Sequence, residues 1–156
     1  MDEKPHIRIE LRSDPCYLAG VRQLIAGVAQ RIGFDESSCS QVALAVDEAL
    51  ANVIRHGYCR ACDRPIWISL WPSAETEEQG AGLRIEIEDE ARHVDEAELC
   101  GRELDDPKPG GLGLHIIREV MDEVAYEKRE PRGMRLRMVK FAEKPTADDV
   151  SALPGE

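Results

Sequence analysis

Apolar residues recur along this chain with two periods. Ile7, Ile9 and Leu11 alternate with polar neighbours over residues 6–11, the two-residue period of a half-buried strand, predicted at or near a sheet edge. Leu18, Val21, Leu24, Ile25 and Val28 return at helical spacing and predict a helix to about residue 32. Ser13-Asp14-Pro15 opens it, with a capping side chain ahead of a proline suited to the first turn, and Gly33 closes it. Val42, Val46, Ala49, Leu50 and Val53 mark a second helix, with Asp35 as its N-cap and Gly57 at its end. Ile66, Ile68 and Leu70 predict a strand over 64–71. Pro72 and the acidic, glycine-flanked residues to 82 read as a turn, and 83–88 as the returning strand. Residues 111–121 are again helical, and 123–128 and 134–141 alternate as two strands around a Pro131-Arg132-Gly133 turn.

Between these elements residues 91–109 are polar, with two prolines and a helical pattern only at 96–99. Connections of that length inside a compact domain are usually functional lids or mobile segments. From residue 143 the composition turns to Lys, Pro, Asp, Ser and Gly, and 143–156 are expected to form a disordered tail. No internal repeat is found, so residues 1–142 read as one domain. Helices and strands are grouped rather than strictly alternating. The fold class predicted is α+β, a two-layer sandwich with helices over one face of a mixed, mostly antiparallel sheet.

Composition narrows the function. A chain of 156 residues can bury roughly 68–70% of its unfolded surface in one core. With 31 acidic against 20 basic residues and a net charge of −11, a nucleic-acid surface is not expected, since phosphate contacts need clustered Lys and Arg. A basic protein partner is compatible. No apolar run is long enough for a membrane span and Met1-Asp2-Glu3-Lys4-Pro5 lacks a signal-peptide layout, so the cytoplasm is the expected location. Five cysteines, an odd count without secretory context, suggest reduced thiols. Cys59-Arg60-Ala61-Cys62 has no second pair to complete a zinc site and reads as a turn.

Three features carry candidate chemistry. Glu48, Asn52 and His56 are spaced four apart, each about 40° from the last, along one stripe of the second helix. Such a stripe is either a solvated edge or a site in which Glu48 is a general base and Asn52 offers its carbonyl oxygen to Mg²⁺, a hard cation that prefers oxygen ligands. Pro109-Gly110-Gly111-Leu112-Gly113-Leu114 meets the start of a helix, where free N–H groups and the positive dipole end favour phosphate. A hinge with close helix packing is the other reading, and the run matches neither the P-loop nor a dinucleotide turn. Asp89 ends the strand Ile85-Glu86-Ile87-Glu88-Asp89; it either forms a turn or accepts a hydrogen bond from an exocyclic amine such as that of adenine.

The order of these features is more specific than any one of them. Glu48, Asn52, Arg55 and His56 on a helix, then strand-terminal Asp89, a lid, and Gly-Gly-x-Gly-Leu opening a helix resemble the ATP-binding (Bergerat-type) fold of the GHKL superfamily, which includes gyrase-type ATPases and histidine kinases. Within it the span from about residue 7 to 141 is similar to the anti-sigma-factor serine kinases of the RsbW-like branch, above all in residues 42–58, 110–117, Met121-Asp122-Glu123-Val124 and 134–140. The resemblance implies that Glu48 is the base that polarises an acceptor hydroxyl or water, Asn52 binds Mg²⁺, Asp89 reads adenine, and Gly110, Gly111 and Gly113, with Leu114 beside them, cradle the phosphates of ATP. Arg55 and His56 would shape the pocket wall or touch phosphate, and Lys108 would neutralise phosphate charge on lid closure.

Two positions depart from the pattern. Asp89-Glu90-Ala91 stands where the superfamily has Asp-x-Gly, and Gly133-Met134 where many relatives have Gly-Thr, whose hydroxyl helps bind adenine through water. Both concern the adenine pocket. The activity implied is an ATP-dependent serine/threonine kinase that holds a sigma factor and phosphorylates a STAS-type anti-anti-sigma protein, with a homodimer suggested by the family alone. The alternative is a module that sequesters a partner without catalysis. A histidine-kinase catalytic domain, a gyrase-like ATPase and an acidic scaffold fit less of the chain.

Overall fold

In the computed structural model residues 3–76, 79–92 and 111–143 are described. Most of the expected lid, including Lys108 and Gly110, and the expected tail after residue 143 lie outside them. In chain order the elements are β1 (Ile7–Arg12), a 3₁₀ turn (Pro15–Tyr17), α1 (Leu18–Arg31), α2 (Glu36–Asn52) running into a π-helical turn (Val53–Gly57), β2 (Pro65–Ser73), β3 (Gly82–Asp89), α3 (Gly111–Val120), β4 (Glu123–Lys128) and β5 (Met134–Phe141). The strands form one sheet in the order β1-β2-β3-β5-β4. β1 is an edge strand, as its alternation predicts. Every pairing is antiparallel, so the sheet is not mixed among the described residues. The β2–β3 and β4–β5 hairpins impose that sense on four strands, and β1 joins β2 in the same sense.

Period-two alternation sends Ile66, Ile68 and Leu70 of β2, Leu83, Ile85 and Ile87 of β3, and Leu136 and Met138 of β5 to one face. There they bury against Val21, Ile25 and Ala29 of α1, Val42, Val46, Ala49 and Leu50 of α2, and Ile117 of α3. This single core is the sandwich that the apolar periods predict. Side-chain caps start the helical segments: Asp14 accepts from the Cys16 N–H at 2.9 Å and Asp35 from the Ser38 N–H at 2.8 Å, and these bonds hold both carboxyls below their usual range. Gly33 stops α1 with φ +104°, a left-handed conformation open to glycine.

Two readings are corrected. Pro72 does not start a turn but lies inside β2, opposite Leu83. β1 pairs β2 only as far as Leu70, so beyond that residue β2 is itself an edge on that side, where a missing N–H is tolerated. The thiols are not all reduced: Cys16, Cys39 and Cys62 are free, but Cys59 is disulfide-bonded. An odd cysteine count excludes a fully paired framework, not a bridge, and the exposed Cys59 sits in a turn with φ 52° that turns it away from the core.

The sheet face away from the helices is charged. Glu86 and Glu88 are 9% and 7% exposed. Glu88 lies 2.9 Å from Arg135, 3.4 Å from Arg129 and 3.4 Å from Arg8, and Glu86 lies 2.9 Å from Arg137. The Arg84 and Arg129 guanidiniums also cover the rings of Trp71 and Trp67, at 4.1 and 5.4 Å. The two carboxylates are buried under arginine, not under carbon.

Candidate functional site

The Asp35 cap fixes where α2 starts, and its apolar stripe fixes which side lies on the sheet, leaving Glu48 and Asn52 half-buried on its flank. α3 packs against that flank. A Cβ added to Gly113 would stand 2.8 Å from Glu48 Oε2 and 3.3 Å from both the Oδ1 and Nδ2 of Asn52. The glycine motif is thus set directly against the carboxylate and the amide, so close that a side chain there would push the Glu48 carboxylate aside.

Beyond Asn52 the helix widens. The Tyr58 N–H donates to the Val53 carbonyl at 2.8 Å, a five-residue step, so the regular 40° offset expected between Asn52 and His56 does not hold there. Both still line one pocket of about 290 Å³. Its helical wall is Ala49, Asn52, Val53, His56 and Gly57, and its floor is Ile87, Asp89 and Leu136; Ala91 and Arg92 follow β3, and Tyr126, Lys128 and Met134 close the side formed by β4 and β5.

Asp89 is the buried polar group of this floor, 4% exposed. Its Oδ1 accepts the N–H groups of Ala91 at 2.8 Å and Met134 at 3.3 Å, and Arg129 donates to its main-chain carbonyl at 2.5 Å. Gly133, at φ +96°, passes so close that a Cβ would lie 1.9 Å from that carbonyl oxygen. The β4–β5 turn therefore clamps the end of β3. Tyr58 braces it from the other side, donating to the Pro65 carbonyl at 2.5 Å and accepting the Glu90 N–H at 2.7 Å; burial pushes its phenol pKa up.

Both departures from the family pattern sit in the pocket wall. The Ala91 methyl fits against Gly57, where an added Cβ would lie only 3.1 Å away, and Met134 lies opposite Lys128. Neither fills the pocket: its volume of about 290 Å³ is at the lower end of the range of ligand clefts.

The structure brings Glu48, Asn52 and Gly113 together, and Asn52, His56, Asp89 and Ala91 around one pocket. Arg55, in the widened turn, is exposed and does not line the pocket. Leu114 is half-buried in α3 and is not among the residues lining the pocket; Gly111 begins that helix. Arg92, Tyr126 and Lys128 line it without having been singled out from the sequence. For the two β4 residues the signal was present: they alternate with Ala125 and Glu127 on the strand face that meets Leu136 and Met134.

Glu48 and Asn52 present oxygen donors of the kind a hard divalent cation takes, with waters and phosphate oxygens left to complete the shell. Among the described residues no cluster of three or more His, Cys, Asp or Glu could hold a metal by itself, and none of their helices is long and apolar enough to cross a membrane.

The fold is similar to that in a crystal structure of the RsbU and RsbW domains of Rv1364c from Mycobacterium tuberculosis, with a TM-score of 0.58 and 16% identity over 90% of this chain. This chain spans 34% of that longer one. Among curated proteins, the serine-protein kinase RsbW of Halalkalibacterium halodurans is 28% identical over 141 residues, 85% of this chain and 81% of the relative. RsbW of Bacillus subtilis is 24% identical over 87% of this chain and 85% of its own length. The model of the histidine kinase-like ATPase domain matches residues 11–140. With the glycine of α3 seated on the α2 carboxylate and amide, and a buried aspartate under an open pocket, this chain belongs to the histidine kinase-like ATPase domain family.

Proposed function

We propose that this chain is an ATP-dependent serine/threonine-protein kinase and anti-sigma factor of a bacterial partner-switching system, acting in the cytoplasm on a STAS-type anti-anti-sigma protein. The observation that carries this reading is the seating of Gly113 on Glu48 and Asn52, with Asn52 also lining a pocket that holds buried Asp89. The RsbW relatives are named serine-protein kinases, which supports a protein serine as the acceptor.

In this reading Asp89 accepts a hydrogen bond from the exocyclic amine of adenine, and main-chain N–H groups at the start of α3 hold the phosphates. Asn52 gives its carbonyl oxygen to Mg²⁺. When bound, that ion offsets phosphate charge. Glu48 takes the proton of the acceptor serine hydroxyl as its oxygen bonds to the γ-phosphorus; the bond to the β–γ bridging oxygen breaks, and ADP leaves with the electron pair. Positioning and charge compensation are most of what phosphoryl transfer requires.

The test is transfer of labelled γ-phosphate from Mg-ATP to the candidate STAS protein. Glu48→Gln is expected to keep nucleotide binding and lose about 10²–10⁴-fold in transfer, the usual contribution of a general base. Transfer by Glu48→Gln at the wild-type rate would remove Glu48 from the chemistry. A second reading, sequestration without catalysis, is favoured by Ala91 and Met134 in the pocket wall. It predicts that the wild-type protein binds its partners but labels none of them.

A further inference from the structure

One wall of the pocket is not accounted for by the carboxylate, amide, aspartate and glycines. β4 is an edge strand, and Tyr126 and Lys128 lie two residues apart on its pocket side, opposite Leu136 and Met134 respectively. Met134 also donates its N–H to Asp89 at 3.3 Å. Lys128 is therefore a cross-strand neighbour of the residue hydrogen-bonded to Asp89, whereas Glu48 and Gly113 do not line the pocket.

The two residues bring different chemistry to that wall. Tyr126 is one of the few large apolar side chains left open, 41% exposed, beside a floor of buried Ile87 and Leu136. An accessible ring over an apolar floor suits a flat aromatic partner, and stacking of a base on an aromatic side chain is a strong, geometry-tolerant contact. The Lys128 ammonium has three donors and no acceptor. A base whose amine is taken by Asp89 still presents ring-nitrogen acceptors on either side of that amine. The Met134 side chain has no donor for them, and Lys128 is its cross-strand neighbour.

Resting on the nucleotide reading above, we infer that Tyr126 and Lys128 are base-contacting residues that set purine preference, with the Tyr126 ring stacked on adenine and the Lys128 ammonium donating to a ring nitrogen beside its amine. Guanine fits worse, because its C6 carbonyl would face the Asp89 carboxylate.

The experiment is calorimetric titration of the full chain with ATP, ADP, AMP and GTP, using Lys128→Met, Tyr126→Phe and Tyr126→Leu, each matched to wild type by thermal melting. Lys128→Met is expected to weaken ATP, ADP and AMP by the same factor, roughly tenfold, and to narrow the preference for ATP over GTP. Tyr126→Leu is expected to weaken all three adenine nucleotides by at least roughly tenfold, with Tyr126→Phe close to wild type. Loss of ATP affinity with AMP unchanged would place Lys128 on phosphate and overturn its assignment, as would unchanged affinities. Equal losses in Tyr126→Phe and Tyr126→Leu would overturn stacking. If the wild-type protein binds no nucleotide, the underlying reading fails; if it binds and the variants match it, only this inference does.

Discussion

At Gly113 the absence of a side chain sets how closely α3 approaches Glu48 and Asn52. A methyl there would meet Glu48 Oε2 at 2.8 Å and Asn52 at 3.3 Å, and either α3 or the two polar side chains would have to move. Gly113→Ala is expected to keep the fold, because alanine is the better helix former, and to lose most phosphoryl transfer; melting and label transfer measured together check this. The grouping of Glu48 and Asn52 on one flank, and the place of Asp89 at a strand end, were legible in the sequence because helical period and strand alternation fix both positions. The exposure of Arg55 was not legible, since helical period alone does not show how the chain widens after Asn52. Tyr126 and Lys128 were missed for another reason: alternation shows that they share a face but not that a pocket opens against it.

Among the elements, α2 carries the most of the site, and its start is set by one carboxylate. Hydrogen bonding to Ser38 holds the Asp35 carboxyl below its usual pKa. Its stabilising contribution is therefore present above the ordinary carboxylate range and is lost as pH falls through that range toward the lowered value. Asparagine caps helices without titrating. Urea unfolding at about pH 7 and about pH 3 is expected to show wild type losing more stability on acidification than Asp35→Asn. Element types and order were readable from apolar period, down to the caps at Asp14 and Asp35. The position of Pro72 was not, because its tolerance depends on where β1 stops, a long-range fact that no local pattern contains.

For the molecule as a whole, a net charge of −11 conceals a sheet face on which Arg8, Arg129, Arg135 and Arg137 converge on Glu86 and Glu88. Removing a buried carboxylate leaves guanidiniums with fewer partners, but these arginines are partly exposed and water takes up some of the loss. Glu88→Gln is expected to cost about 1–2 kcal/mol, less at high salt, read as a shift in the urea midpoint. The layering itself was legible because apolar residues on both element types needed a single core. The charged face was not, since Glu86 and Glu88 alternate with core residues just as solvated side chains would.

The π turn at Val53–Gly57 gives one continuous helix two screw pitches. The half with Glu48 and Asn52 is phased to α3, whereas the half with His56 and Gly57 is phased to the end of β3 through Ala91. A shift of α3 is therefore expected to reach Glu48 and Asn52 while leaving His56 and Gly57 in place against Ala91, so that the two halves of the helix answer to different neighbours.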